Sequence, residues 1–322
     1  MEQSLSTLTK NNAINEIRTF QTSDGASLAS VQEERVAILN TSENTVTFYE
    51  IQSSEEIEVS VPYKVKPKAI LLHGDSLFIG GAIHEGMSEE MLIQYHIQNG
   101  VWYRLEIPEN LLQWGKAVDD LVVNEEYLIA IDNIVLPKFI LFYRLDSTGK
   151  LEFSHYRTLR SNGTWETVRQ GRITPDYLGL LSRTDSGWGG SYEHITIYNN
   201  LDLTSSFTLS VEVEWQTIIE GNTIIYTDCY TINDFLLVGD KLFLAHRSRG
   251  LGVFEIDNSY FDAFNSRVDA SKINYTRFND EEIIQLTLIP NELKIVLTIR
   301  SETEKIRHEV FCVQLGALIS EE

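Results

Sequence analysis

The stretch Ile232–Asp257, INDFLLVGDKLFLAHRSRGLGVFEID, holds three short apolar runs separated by turn residues. Asp234–Val238 (DFLLV), Leu242–Ala245 (LFLA) and Val253–Ile256 (VFEI) are too short for helices and rich in aromatic and branched aliphatic side chains. Such runs are strands. Gly239-Asp240-Lys241 joins the first two, a glycine-containing connection of the kind that closes a tight hairpin. The polar segment His246–Gly252 joins the second run to the third.

The unit recurs along the chain. Residues 68–81 read KAILLHGDSLFIGG, with Gly74-Asp75-Ser76 in place of Gly239-Asp240-Lys241. Residues 118–131 read VDDLVVNEEYLIAI, and Asp119 falls where Asp234 falls, four residues before the valine that opens the turn. Residues 27–39, 169–181 and 285–297 give three further copies. Anchored on Val31, His73, Val123, Ile173, Val238 and Ile289, the copies lie roughly 42, 50, 50, 65 and 51 residues apart. A third strand follows in each of five copies, at 46–51, 92–97, 139–145, 195–198 and 310–313, and a more polar fourth at 57–61 and 101–107. The last copy has none before Glu322, and the run Ile14–Phe20 near the start is the candidate to supply it.

This pattern resembles the β-propeller superfamily, at the level of fold and over essentially the whole chain. The resemblance implies one all-β domain, residues 1–322, of six four-stranded blades, with the ring closed by the N-terminal strand joining the last blade. The irregular segment 209–232 predicts a projecting hairpin about Glu220-Gly221-Asn222, with a truncated seventh blade as the alternative. The Trp-Asp dipeptides and Gly-His starts of the WD40 class are absent, as is a Kelch double glycine. The likeness is WD40-like in architecture alone and transfers no functional residue.

Composition narrows the function classes. Asp and Glu number 47 against 26 Lys and Arg, a formal net charge of −21. A face that binds phosphate must be basic, so nucleic acid and anionic membranes are excluded as expected partners, and a protein with a basic surface is favoured. No apolar run reaches membrane-spanning length, and the polar start MEQSLSTLTKNNAINE has no signal-type core, so the expected location is the cytoplasm. Two cysteines, Cys229 and Cys312, make neither a disulfide framework nor a metal motif. No nucleophile elbow or phosphate loop is present.

In a propeller, the loops between second and third strands share a face with the starts of the innermost strands. Here those loops, 82–91, 132–137, 183–194 and 246–252, read as longer than the terse turns opposite, and function concentrates in such loops. The candidate partner contacts are Trp188 in a glycine-rich tip, Arg247 and Arg249 for a carboxylate or phosphate, His84, and Trp215 on the 209–232 hairpin. Asp119, Asp132 and Asp234 are candidate oxygen donors for Ca²⁺ at a channel mouth, although an aspartate at a loop–strand junction more often caps local backbone amides. The expected function is a non-enzymatic scaffold that binds a protein partner and takes no cofactor. A calcium-assisted hydrolase is the first alternative and a carbohydrate-binding propeller, resting on Trp188 and the tyrosines, the second.

Overall fold

The computed structural model describes residues 27–32, 35–50, 56–62, 66–82, 92–111, 117–124, 126–132, 138–145, 151–159, 166–186, 190–199, 203–213, 215–220, 223–228, 230–261, 266–277, 282–289, 292–300 and 306–314. Its strands fall into two compact units, one within Phe20–Pro175 and one within Asp176–Glu322.

The N-terminal unit is a succession of antiparallel meanders. Strands β1 (Ser27–Gln32), β2 (Arg35–Asn40), β3 (Thr45–Glu50) and β4 (Glu56–Ser60) form the first sheet in chain order. Strands β5 (Lys66–His73), β6 (Ser76–Ala82), β7 (Leu92–His96) and β8 (Val101–Arg104) form the second. Strands β9 (Asp120–Val123), β10 (Tyr127–Ile131), β11 (Lys138–Leu145) and β12 (Leu151–Leu159) form the third. β13 (Glu166–Ile173) is the last strand of the unit. A four-stranded meander paired only with its sequence neighbours is the blade of a β-propeller, and the tandem repetition is that fold's architecture.

The C-terminal unit continues the pattern with three departures. β14 (Tyr177–Ser186), β15 (Gly190–Asn199) and β16 (Ser205–Glu212) pair in order. β17 (Trp215–Glu220) and β18 (Thr223–Asp228) form a two-stranded sheet of their own, so the expected hairpin exists but starts after β16, which takes residues 209–212. β19 (Ile232–Val238), β20 (Lys241–His246) and β21 (Gly250–Glu255) follow the three runs of the opening stretch. The chain then leaves this sheet through a short 3-10 turn, Asn258–Phe261, and lays β22 (Ser266–Val268) parallel along β16. It returns as β23 (Asn274–Thr276) beside β21. β22 covers a sheet edge whose unpaired amides would otherwise invite another chain. β24 (Glu282–Ile289), β25 (Glu292–Arg300) and β26 (Ile306–Gln314) make a three-stranded sheet, as the short last copy predicts. The expected closing strand, 14–20, lies outside the described residues.

Local chemistry explains the turns. Val238 pairs with Lys241 and His73 with Ser76, leaving two-residue turns that open on Gly239 at φ 56° and Gly74 at φ 54°. That left-handed backbone is the glycine requirement of tight hairpins. Period-2 alternation then sends one face of each sheet into a core. In the C-terminal unit Leu181, Ile195, Ile197, Phe207 and Leu209 of one sheet pack with Ile232, Phe235, Leu242, Leu244 and Phe254 of the next. Phe207 meets Phe261 at 5.1 Å and Tyr260 at 5.4 Å between ring centroids, so the excursion after β21 is anchored by aromatic packing. In the N-terminal unit Phe78, Leu92, Leu121, Leu128, Leu141 and Tyr143 form the corresponding core between the second and third sheets.

Candidate functional site

Polar side chains clip one inner strand to the next. Asp234 Oδ1 accepts from its neighbour Phe235 N at 2.8 Å, and Oδ2 accepts from Leu286 N on β24 at 2.9 Å. Asp120 repeats this arrangement: Oδ1 accepts from Leu121 N at 2.9 Å and Oδ2 from Gly171 N on β13. Burial pushes the Asp120 carboxyl up to about 6, against the pull of the Gly171 amide and the Arg172 charge. Ser30 Oγ accepts from Leu72 N at 2.8 Å, joining β1 to β5. Glu193, fully buried on β15, accepts from Thr231 N at 2.8 Å and Ile232 N at 2.6 Å, joining β15 to the start of β19.

The residue equivalent to Asp234 is therefore Asp120, and the sequence alignment of Asp119 with Asp234 is off by one. The cause is the turn. Asn124, not Val123, is the last residue before it: Asn124 N donates to Tyr127 O at 3.0 Å, while its Oδ1 accepts from Glu126 N and Tyr127 N. An asparagine that caps its own turn extends the ladder by one residue beyond the apolar run. Asp119 instead donates its backbone N–H to Ile131 O at 2.9 Å, beside the buried Asp132. Among the described residues no group of three or more His, Cys, Asp or Glu side chains is placed to hold a metal ion.

Two of the expected long loops are mostly strand. β14 and β15 stay paired to Ser186↔Gly190, and β20 and β21 to His246↔Gly250, leaving connections of residues 187–189 and 247–249. Polar residues such as Arg183 and Glu193 read as loop in the sequence, yet a hairpin that outruns the apolar body of its sheet needs no apolar alternation. Trp188 and His84 lie outside the described residues, and Trp215 is placed on β17 without a described side chain.

The strand ends of the C-terminal unit gather arginines and tyrosines on one edge. Arg183 sits over the Tyr230 ring at 5.7 Å, and Tyr230 is 51% exposed. Tyr230 precedes Thr231, whose carbonyl accepts from Arg247 N at 2.8 Å. The Arg247 side chain meets Glu282 at 3.6 Å, and Glu282 also accepts from Asn233 Nδ2 at 3.0 Å. Arg249 lies over the Tyr275 ring at 5.4 Å. The turn is seated on buried His246, whose Nδ1 accepts from Ser248 N and Arg249 N at 3.3 Å, with its ring 5.1 Å from Tyr275. Exposed Tyr192 stacks against His194 at 6.3 Å, and His194 Nδ1 lies 2.9 Å from Ser210 Oγ. The sequence places Arg247 and Arg249 on this edge and Arg183 in a loop of the same face; it gives no sign of Tyr230 or Tyr275, because each pairing joins distant strands.

No family model matches the chain, and no curated protein matches it in sequence. Among solved structures it is similar to BamB from Moraxella catarrhalis, at TM-score 0.46 and 8% identity over 90% of this chain and 86% of that one. It is similar to the N-terminal domain of Nup159, at TM-score 0.47 and 10% identity over 89% and 76%. It is also similar to the β-propeller domain of the Trilobed protease from Pyrococcus furiosus, at TM-score 0.41 and 10% identity over 89% and 96%. The propeller architecture is assigned from the strand order above, and these likenesses transfer no function.

Proposed function

We propose that the chain is a non-enzymatic scaffold propeller that holds a protein partner on the strand-end edge carrying Arg183, Tyr230, Arg249 and Tyr275. In this reading residues 1–322 form one WD40-like domain of six blades, closed by the N-terminal strand and working in the cytoplasm. The observation that carries it is the pair of arginine–tyrosine stacks on one edge. Tyrosine and arginine are the residues enriched in protein interfaces, where a rigid aromatic supplies area at small entropic cost. Stacking fixes each guanidinium before a partner arrives, which lowers the ordering cost of binding. Trp188, which lies outside the described residues, is retained as a proposed partner contact. The chain-wide charge of −21 adds long-range attraction for a partner with a basic surface.

The test is affinity capture from native lysate with the tagged protein, with and without chelator, read by mass spectrometry. A stoichiometric partner that survives the chelator and is lost on Tyr230→Ala supports the assignment. A partner retained by both Tyr230→Ala and Arg249→Ala places the interface elsewhere.

A further inference from the structure

We infer that this edge recognises an acidic, carboxylate-bearing segment of the partner, with Arg249 as its principal anion contact. The inference rests on the partner-binding reading above and names the chemistry that the edge selects.

Acids outnumber bases 47 to 26 in this chain, so a surface cation has abundant carboxylates to pair with. Several do: Arg35 with Asp75 at 3.4 Å, Arg144 with Glu126 at 3.5 Å, Lys241 with Glu255 at 3.0 Å and Arg247 with Glu282 at 3.6 Å. Arg249 departs from this pattern. It is exposed, and among the described residues its guanidinium meets the Tyr275 ring and no carboxylate. Attraction to a ring face takes up no carboxylate, and the five N–H donors of a guanidinium form the fork that a carboxylate takes bidentately.

Two nearby carboxylates are already engaged. Glu193 is turned inward onto two backbone amides, and Glu282 is held by Arg247 and Asn233. Exposed Glu212 pairs with Tyr192, which alternates to the face of β15 opposite Glu193. Arg277 follows Thr276, which pairs with Leu251 two residues after Arg249. Arg249 and Arg277 thus flank the paired ends of β21 and β23, strands ~4.8 Å apart. An extended segment of about two residues covers that distance. Tyr275 borders it, and Tyr230 lies next to Thr231, which holds the Arg247 backbone, so both supply apolar contact beside the charges.

The experiment is fluorescence anisotropy on the full chain with four labelled hexapeptides: alternating Glu and Tyr, and the same peptide with Gln, Lys or phosphoserine in place of Glu. The Glu peptide is expected to bind, and its Kd to rise about tenfold between 50 and 500 mM salt, since exposed charge pairs are screened. Arg249→Ala weakens it roughly tenfold, and Arg249→Lys by an intermediate factor because the planar fork is lost while the charge stays. Arg144→Ala, on the N-terminal unit, leaves it unchanged. Binding of the Gln or Lys peptide as tight as the Glu peptide overturns the inference, as does an Arg249→Ala protein with the wild-type Kd. Binding of phosphoserine alone overturns the carboxylate assignment. A partner captured from lysate, lost on Tyr230→Ala but not displaced by the Glu peptide, leaves the partner-binding reading standing and removes this one.

Discussion

Asp234→Ala removes the acceptor of two buried amides and offers nothing in its place. Phe235 is fully buried and Leu286 is 3% exposed, so neither N–H reaches water once the carboxylate is gone. Hydrogen bonds to a charged acceptor contribute about 1.5–3 kcal/mol each, and an orphaned buried donor costs about 1–3 kcal/mol. Two such donors give an expected loss of about 3–4 kcal/mol, with the shared local geometry holding the sum below the arithmetic maximum. Asp234→Asn keeps one oxygen but turns an amide N–H toward the second donor, and about half the loss is expected. Urea unfolding followed by far-UV circular dichroism reads both. With a slope of about 3 kcal/mol/M for a chain of this size, the Ala variant unfolds about 1 M earlier. A midpoint within 0.2 M (about 0.6 kcal/mol by the same slope) would show that the clip between β19 and β24 does not stabilise the fold.

Asp120 gives a pH signature. Its ordinary value is 3.8 and burial raises it to about 6, so the folded chain holds a proton that the unfolded chain has released. The stability this contributes is complete below pH 3.8, falls as pH rises through the window and is gone above about 6, a change of about 3 kcal/mol. Wild type is expected to lose about 2.4 kcal/mol more than Asp120→Asn between pH 4 and 7, the rest having gone below pH 4; parallel curves would contradict the assignment. Gly80→Ala is expected to cost about 2–3 kcal/mol, because a Cβ there falls 2.5 Å from Val118 Cγ1 and 2.9 Å from its carbonyl oxygen. Thermal melting checks it, and an unchanged melting temperature refutes the close approach of β6 to Val118. Glu193→Ala exposes two buried amides and is expected to cost about 2–4 kcal/mol by urea unfolding, whereas Glu212→Ala, at an exposed carboxylate, changes little.

The strands were legible because each innermost run carries its own turn chemistry. Gly74 and Gly239 mark two-residue turns at the residues where the backbone needs positive φ. Legibility failed where a polar residue does strand work. Asn124 adds one backbone hydrogen bond to the β9–β10 ladder beyond Val123, and that single slip moved the clip from Asp120 to Asp119. β22 was invisible, since Ser-Arg-Val is too short and polar to signal a strand and its parallel partner β16 lies about 60 residues earlier. Of the site, Arg247 and Arg249 could be picked out from an isolated glycine-rich turn. The tyrosines that orient the edge could not, because Arg183–Tyr230 and Arg249–Tyr275 pair through space and no local periodicity encodes them.

Site-specific photo-crosslinking tests the partner-binding edge most directly. A benzophenone amino acid replaces Tyr230 on the arginine–tyrosine edge in one protein, and Asp240, in the β19–β20 turn at the opposite end of the strand, in another. Both positions are exposed. Irradiated in native lysate, the chain labelled at 230 is predicted to give one dominant adduct, suppressed by Arg249→Ala, and the chain labelled at 240 none. Equal adducts from both positions, or an adduct at 240 alone, would contradict a partner held on this edge.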